Sequence, residues 1–94
     1  MAETIDVWVV TGFGCKPCEN VKQRLHRLGT EFPELRVSEF DVGSDRGMAL
    51  ALRYRLVGLP GILINGRMVL AGDVSEALLR ERLEQTRRAL APHA

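Results

Sequence analysis

The two cysteines of this chain, Cys15 and Cys18, are separated by only two residues and lie between an apolar run and a helical pattern. The apolar run over residues 5–10 predicts a β-strand, and the pattern over residues 16–29, which ends at a glycine, predicts an α-helix. A chain that leaves a strand and enters a helix at a Cys-x-x-Cys sequence places both sulfur atoms at the N-terminus of that helix. This junction is therefore the first constraint on both the fold and the chemistry of the chain.

A helix N-terminus changes the chemistry of a thiol. If Cys15 is the N-cap, Lys16 and Pro17 take the first helical positions, where the missing N–H of a proline has no cost. The N–H of Cys18 then points at the sulfur of Cys15, and the partial positive charge of the helix start favours thiolate over thiol. A thiol with a pKa of about 8.5 is roughly 3% ionised at pH 7, whereas one with a pKa of about 7 is half ionised. Cys15 is therefore predicted to be a nucleophile.

The two cysteines are predicted to differ in exposure. One face of the helix carries its apolar residues, which are Cys18, Val21, Leu25 and Leu28. This spacing predicts that Cys18 is buried and that Cys15 is exposed. Thiol–disulfide exchange needs this asymmetry, because an outer thiol attacks and an inner thiol resolves the mixed disulfide. A disulfide that closes so short a loop adds little stability, so a purely structural bridge explains the pair poorly.

Composition excludes several classes of function. The chain has 94 residues, a formal net charge of +1 and a hydrophobic content of 46%. We expect a single domain over residues 1–94, a monomer, with no binding to nucleic acid or to a membrane. The first six residues lack the basic and apolar regions of a secretion signal, so we expect a cytoplasmic protein. In that compartment a two-cysteine motif is more often catalytic or metal-binding than structural.

The two parallel strands can be placed from the apolar pattern. Residues 5–10 are nearly continuous in apolar character, which is typical of a central strand covered on both faces, so Trp8 is assigned to the core. Residues 35–42 alternate in part and predict a second strand. A strand, a helix and a second strand within this length indicate a right-handed parallel unit.

A second helix is predicted after this unit. Ser44 or Asp45 can cap it, and it is expected to run to about Arg55. Met48, Leu52 and Ala51 are the residues predicted to face inward.

The C-terminal third predicts a hairpin and a helix. Two short apolar runs are joined by Asn65-Gly66, the strongest local hairpin signal, because both turn residues need a positive φ. Asp73 is predicted to cap the last helix, which is expected over about residues 74–90. Residues 92–94 are expected to form a frayed end.

In this order of elements the chain resembles the thioredoxin–glutaredoxin family along nearly its whole length. The stretch from Tyr54 to Pro60 is similar to the thioredoxin sequence Tyr-x-Ile-x-Gly-Ile-Pro, Gly72 falls where the family has a glycine after its last strand, and Cys-x-Pro-Cys matches thioredoxin better than glutaredoxin. The resemblance implies a thioredoxin-like α/β fold of β-α-β-α-β-β-α order, in which a mixed four-stranded sheet carries helices on both faces. It also implies a cis peptide bond before Pro60, next to the cysteines.

The resemblance implies roles at the site as well. Cys15 and Cys18 are the catalytic pair of a thiol–disulfide oxidoreductase that reduces protein disulfides. The backbone of Leu59 pairs with an extended substrate segment, and Pro60 lies beside it. An apolar rim for docking is expected from Phe13, Gly58, Leu59 and Gly61. Lys16, Pro17, Gly72 and Asp73 support the motif, and Asp73 could hold the ammonium group of glutathione.

The sequence departs from the family at three positions. Gly14 stands where thioredoxins have a tryptophan, and Val9 stands where they bury an aspartate that is thought to relay a proton. A relay would need water or another group, such as Glu39, whose other interpretation is a solvated strand residue. The residues before Cys15 also lack the lysine with which glutaredoxins bind glutathione, so we expect weak glutathione dependence.

The expected partners are disulfide-containing proteins and an electron donor, either a reductase of the thioredoxin-reductase type or glutathione, and no cofactor is expected. The main alternative is a module that binds a soft metal such as copper or zinc, since thiolates suit these ions. Two cysteines supply only half of a tetrahedral zinc site, and His26 would lie on the outer helix face. A third possibility is a protein-binding domain without catalytic use, against which the intact cysteine pair argues.

Overall fold

The computed structural model of the protein describes residues 3–90. Its elements, in chain order, are β1 (Ile5–Thr11), α1 (Lys16–Leu28), β2 (Leu35–Asp41), α2 (Asp45–Arg53), β3 (Gly61–Ile64), β4 (Met68–Ala71) and α3 (Glu76–Leu90). The predicted β-α-β-α-β-β-α order is confirmed. The frayed end predicted over residues 92–94 lies outside the described residues.

The four strands form one mixed sheet in the order β2-β1-β3-β4. β1 runs parallel to β2 and antiparallel to β3, and β4 is antiparallel to β3. Val9 at the centre of β1 is level with Glu39 on one side and with Ile62 on the other. Because β3 is antiparallel to β1, it begins at the edge of the sheet where β1 ends and α1 starts. The topology alone therefore brings the residues before β3 towards the cysteines.

Helices cover the two faces of the sheet unequally. On one face α1 and α3 pack over the larger cluster of buried residues, namely Ile5, Val7, Val9, Val21, Leu25, Leu28, Phe32, Ile62, Ile64, Val74, Leu79 and Leu83. On the other face α2 covers a smaller cluster of Val10, Leu50 and Leu63. The buried residues of α1 belong to the larger cluster, so this helix is packed firmly against the sheet. This packing fixes the position of the helix N-terminus.

Trp8 does not belong to the core, contrary to the prediction. Its exposed fraction is 38%. It lies on the face that only α2 covers, and α2 is nine residues long and reaches only the part of this face around Val10 and Leu63. Trp8 is left beside this helix with its ring edge-on to Phe40, at 5.8 Å between centroids. A continuous apolar strand therefore did not mean equal cover on both faces.

The inward face of α2 also differs from the prediction. Met48 and Leu52 are 47% and 72% exposed, whereas Gly47 and Leu50 are the buried residues of this helix. The helix approaches β2 so closely at Gly47 that a Cβ atom there would lie 1.9 Å from the backbone oxygen of Asp41. The smallest residue, rather than the most apolar pair, therefore decides how this helix is rotated.

The ends of α2 refine the predicted boundaries. Ser44 is the N-cap, since its Oγ accepts a hydrogen bond from the N–H of Gly47 at 3.0 Å. The helix ends at Arg53, two residues earlier than predicted. No helix within residues 3–90 combines the length and the apolar character needed to cross a membrane.

The hairpin is confirmed and the cap of the last helix is not. Asn65 and Gly66 have φ values of 50° and 67°, the left-handed pair that the Asn-Gly turn requires. α3 begins at Glu76, and the Oγ of Ser75 accepts a hydrogen bond from the N–H of Leu78 at 3.1 Å. Asp73 is not the cap, because its carboxylate is bound instead by Arg24 of α1.

Candidate active site

The two cysteines form a disulfide at the start of α1, with their Cα atoms 5.2 Å apart. Cys15 is the N-cap, as predicted, and Pro17 lies in the first turn of the helix. The N–H of Cys18 donates a hydrogen bond to the sulfur of Cys15 at 3.1 Å. When the pair is reduced, this N–H and the helix start are in place to stabilise a negative charge on the Cys15 sulfur.

Burial differs between the two cysteines, although less than predicted. Cys18 is 1% exposed, which confirms its predicted burial. Cys15 is half-buried rather than exposed. Its sulfur is bonded to that of the buried Cys18 and accepts the Cys18 N–H, so it lies against the first helical turn. The outer sulfur remains the more accessible of the two.

A loop over residues 54–60 packs directly against the loop that carries the cysteines. The peptide bond between Leu59 and Pro60 is cis, as the resemblance implied. Leu59 lies over Gly12, where an added Cβ would come within 2.7 Å of its Cδ1 atom. On the other side, the N–H of Gly72 donates to the carbonyl oxygen of Pro60 at 2.9 Å. Three loops that are distant in sequence therefore converge on the N-terminus of α1.

The apolar rim differs in one member from the prediction. Phe13 is fully exposed, Gly58 is exposed and Leu59 is half-buried. Gly61 is buried in β3, where the side chain of Leu56 lies against it, so it cannot belong to a docking surface. Val57, with an exposed fraction of 94%, takes its place in the rim. Val57 was not among the predicted rim residues, and its position between the end of a helix and the Gly-Leu-Pro segment is the sequence signal for it.

Asp73 lies after β4 as expected, but its carboxylate is already bound. Arg24 of α1 forms an ion pair with it and also donates to the carbonyl oxygen of Val74 at 2.9 Å, and the side-chain amide of Asn20 donates to it at 3.3 Å. The hydrogen bond from Arg24 is the main reason that the pKa of Asp73 is lowered from its ordinary value. An ammonium group would have to displace an arginine to bind there.

Glu39 lies on the exposed surface beside α1. Its carboxylate accepts a hydrogen bond from the hydroxyl of Thr11 at 2.8 Å and from the Nζ of Lys22 at 3.2 Å. The Thr11 hydroxyl is the main cause that lowers the pKa of Glu39, and Lys22 adds to it. A carboxyl whose pKa is lowered is a weak proton acceptor near neutral pH. The contacts therefore favour a solvated strand residue over a proton relay.

The possibility of a metal site gains no third ligand. Within residues 3–90 no three side chains of His, Cys, Asp or Glu come together in an arrangement that could hold a metal ion. His26 is exposed on α1, about two helical turns along the axis from Cys18. A soft metal would have to bind to the two sulfurs alone.

The architecture of the chain matches solved thioredoxins. Thioredoxin O2 from Arabidopsis thaliana, in its oxidised state, superposes with a TM-score of 0.72 at 17% identity, covering 88% of this chain and 75% of that chain. Mitochondrial thioredoxin 3 from Saccharomyces cerevisiae gives a TM-score of 0.72 at 18% identity, with 88% and 79% covered. The chain has the thioredoxin fold. The thioredoxin of Fasciola hepatica superposes at 0.70 with 24% identity, with 87% and 80% covered.

Sequence comparison adds nothing to this thioredoxin-fold assignment. No protein-family model matches the chain, and no curated protein matches it. The identities to the thioredoxins are low, so the shared architecture establishes the fold alone.

Proposed function

We propose that the protein is a thiol–disulfide oxidoreductase that uses Cys15 and Cys18 to reduce disulfides in other proteins. The observation that carries this proposal is the pair of unequal sulfurs at one helix N-terminus. Cys15 is the more accessible sulfur and accepts the N–H of Cys18, whereas Cys18 is buried. In the reduced pair, the helix start and the N–H of Cys18 favour the thiolate of Cys15, and the inner sulfur of Cys18 is close enough to attack the mixed disulfide.

The reaction proceeds in two exchanges. The Cys15 thiolate attacks one sulfur of a substrate disulfide, the substrate S–S bond breaks, and its other sulfur leaves as a thiolate that takes up a proton. Cys18 then loses its proton and attacks the Cys15 sulfur, which releases the second substrate thiol and forms the Cys15–Cys18 disulfide. Two electrons have moved to the substrate, and an external dithiol returns the pair to its reduced form.

Leu59 and the cis Pro60 position the substrate in this proposal. Their loop lies against the cysteine loop, and the exposed Phe13, Val57 and Gly58 give an apolar surface around the sulfurs. The backbone groups of Leu59 make no hydrogen bond within residues 3–90, so they are open to pair with an extended substrate segment.

Four further residues support this arrangement. Pro17 starts the helix without a lost hydrogen bond, Lys16 adds positive charge next to the outer sulfur, and Gly72 holds Pro60 in place. Asp73, through Arg24, ties the Gly72 loop to α1. We infer that these contacts hold the three loops in fixed positions around the disulfide.

A reductase of the thioredoxin-reductase type is the proposed electron donor, with glutathione as the weaker alternative. This preference rests on Asp73, whose charge is neutralised by Arg24. We further propose that the chain acts as one monomeric domain in the cytoplasm, without a cofactor.

Reduction of insulin by dithiothreitol tests the assignment of the cysteines. We expect the wild-type chain to accelerate insulin reduction, Cys15→Ser to abolish the acceleration, and Cys18→Ser to accumulate a mixed disulfide that mass spectrometry detects. Arg67→Gln is the matched control, because Arg67 is exposed in the hairpin turn, at the end of the strands opposite to the cysteines. Full activity of Cys15→Ser would overturn the assignment.

The electron donor requires a separate assay. NADPH oxidation is followed with thioredoxin reductase in one reaction and with glutathione plus glutathione reductase in the other. We expect faster turnover with thioredoxin reductase. Arg24→Ala, which frees the Asp73 carboxylate, is expected to raise the ratio of the glutathione-dependent rate to the thioredoxin-reductase-dependent rate relative to wild type. Equal or greater wild-type activity with glutathione would contradict the proposed donor.

A further inference from the structure

Arg55 lies where the polypeptide backbone favours glycine. It directly follows the C-cap Tyr54 of α2 and has a φ of 51°. The N–H of Leu56 donates to the carbonyl oxygen of Ala51 at 3.0 Å, and the N–H of Arg55 donates to that of Leu52 at 3.4 Å. These two bonds define a Schellman motif, whose left-handed position is most often occupied by glycine because other residues are strained there. Arg55 therefore occupies a position that disfavours any residue but glycine.

The charge of Arg55 is not used inside the fold. The residue is exposed, and its guanidinium makes no ion pair or hydrogen bond to any of residues 3–90. Lys16, next to Cys15, is likewise exposed and without an ion pair in this part of the chain. By contrast, two acidic groups close to the cysteines are neutralised, because Glu19 pairs with Lys22 at 3.1 Å and Asp73 pairs with Arg24. Among the residues that the structure describes, Arg55 and Lys16 are therefore unpaired cations, whereas these two acids are paired.

A segment with open backbone groups connects Arg55 to the sulfurs. Within residues 3–90, the N–H and C=O groups of Val57, Gly58 and Leu59 make no hydrogen bonds, and Val57 is 94% exposed. Leu59 lies against the cysteine loop, and Arg55 is four residues earlier in the chain, at most about 14 Å away. A peptide that pairs with Leu59 and continues past Val57 therefore comes within reach of the Arg55 side chain.

We propose that Arg55 selects substrates, and that the preferred substrate segment carries an acidic side chain about four residues from the cysteine that Cys15 attacks. Between them lies an apolar residue that packs on Val57. This inference rests on the proposed function, since it concerns the substrate of the same site. The inference rests on the expected charge complementarity, because within residues 3–90 Arg55 is an unpaired cation at the end of an exposed segment whose backbone groups are unpaired.

Peptide kinetics in the Cys18→Ser background test the proposal. Each probe peptide has one cysteine joined to thionitrobenzoate, and attack by Cys15 releases a coloured thiolate. Glutamate, glutamine or lysine is placed from one to six residues away, on either side. At low ionic strength we expect the glutamate peptide to react about three- to fivefold faster than the glutamine peptide when the charge is about four residues away. High salt should reduce this ratio towards one.

Substitutions at residue 55 separate a specific role from a general one. Arg55→Gln should bring the glutamate-to-glutamine rate ratio to about one, and Arg55→Glu should favour the lysine peptide instead. Arg55→Gly should lose the preference while raising the thermal midpoint of unfolding. Arg67→Gln, which removes an exposed arginine at the opposite edge of the sheet, should keep the wild-type ratio.

Failure of the proposed role of Arg55 can be distinguished from failure of the proposed function. If no peptide reacts with Cys15, the proposed function fails and the inference fails with it. If all peptides react at equal rates, the function stands and the role of Arg55 is wrong. A ratio that Arg55→Gln leaves unchanged, or that Arg67→Gln abolishes equally, also overturns the proposal.

Discussion

Backbone geometry at single residues determines how α2 packs and how the chain leaves this helix. Gly47 and Arg55 lie in or next to the same short helix, and both are constrained by backbone geometry. Gly47 allows α2 to approach Asp41, and Arg55 takes a left-handed conformation after the helix ends. Neither constraint can be inferred from hydrophobicity, which is the property that dominates sequence analysis of helices.

Gly47→Ala is expected to be among the most destabilising single substitutions in the chain. The new Cβ would lie 1.9 Å from the Asp41 backbone oxygen, which cannot move without displacing β2. We expect a loss of about 3 kcal/mol or more in the free energy of unfolding, measured by urea denaturation. Gly58→Ala is the control, because a Cβ there meets nothing within 4 Å, and its effect should be small. Similar effects of the two substitutions would contradict the packing described at Gly47.

Arg55→Gly is expected to stabilise the fold. Relief of the left-handed conformation is worth about 1–2 kcal/mol, whereas the greater freedom of glycine in the unfolded chain costs about 0.5–1 kcal/mol. The net gain should be about 1 kcal/mol in urea denaturation. A comparable gain for Arg53→Gly, within the helix, would show that the left-handed conformation is not the cause, since glycine inside a helix is expected to destabilise it.

At the scale of elements, acid–base pairs connect α1 and the segment that follows it to α3. Arg80 binds Glu31 at 2.8 Å, Arg87 binds Glu34 at 2.6 Å, and Arg27 binds Glu76 at 2.8 Å. The hydrophobic contacts between these helices are buried beneath this row of pairs. The pairs are largely exposed, so each contributes little by itself, and their joint effect is seen in the pH dependence of stability.

Acid is expected to weaken this row of pairs. The hydrogen bond from Arg80 lowers the pKa of Glu31, and that from Arg87 lowers the pKa of Glu34, both from an ordinary value of 4.5. A lowered pKa in the folded state stabilises the fold above the unfolded value, and this contribution is lost as pH falls through the folded value. The thermal midpoint should therefore hold above about pH 5 and fall below about pH 4.5. In Glu34→Gln the fall should be shallower, and an identical pH profile would rule out a contribution from this carboxylate.

At the scale of the whole molecule, the sheet separates the single tryptophan from the redox site. Trp8 lies on the α2 face, whereas Cys18 points into the core between the sheet and α1. Contact quenching by the disulfide is excluded by this arrangement, because the sheet stands between the indole and the sulfurs. Trp8 therefore reports on global unfolding rather than on the state of the cysteines.

Fluorescence checks this separation. Emission from Trp8 should change little when dithiothreitol reduces the native protein and should change strongly when urea unfolds it. Trp8→Phe, which keeps an aromatic ring against Phe40, is the control that assigns the signal to this residue. A large change on reduction of the native protein would contradict the position of Trp8 relative to the cysteines.

Features that depend on near neighbours in the chain could be predicted from the amino-acid order. The order of strands and helices follows from local periodicity, the hairpin turn from the φ preference of Asn65-Gly66, and the cap at Cys15 from the helix start. The cis bond at Pro60 came from the family resemblance. Each of these features depends on interactions within a few residues or on a short sequence motif. Such local signals can be recognised without knowledge of the fold.

Features that depend on groups distant in the chain became visible only in the folded protein. Trp8 is exposed because α2 is too short to cover it. Gly47 faces inward because the backbone of β2 at Asp41 leaves no room for a side chain there. Asp73 binds Arg24 across a separation of 49 residues rather than capping the helix beside it. A local sequence pattern does not show which residue a helix face or a charged side chain will contact. That contact is established only when the sheet and the three helices pack together.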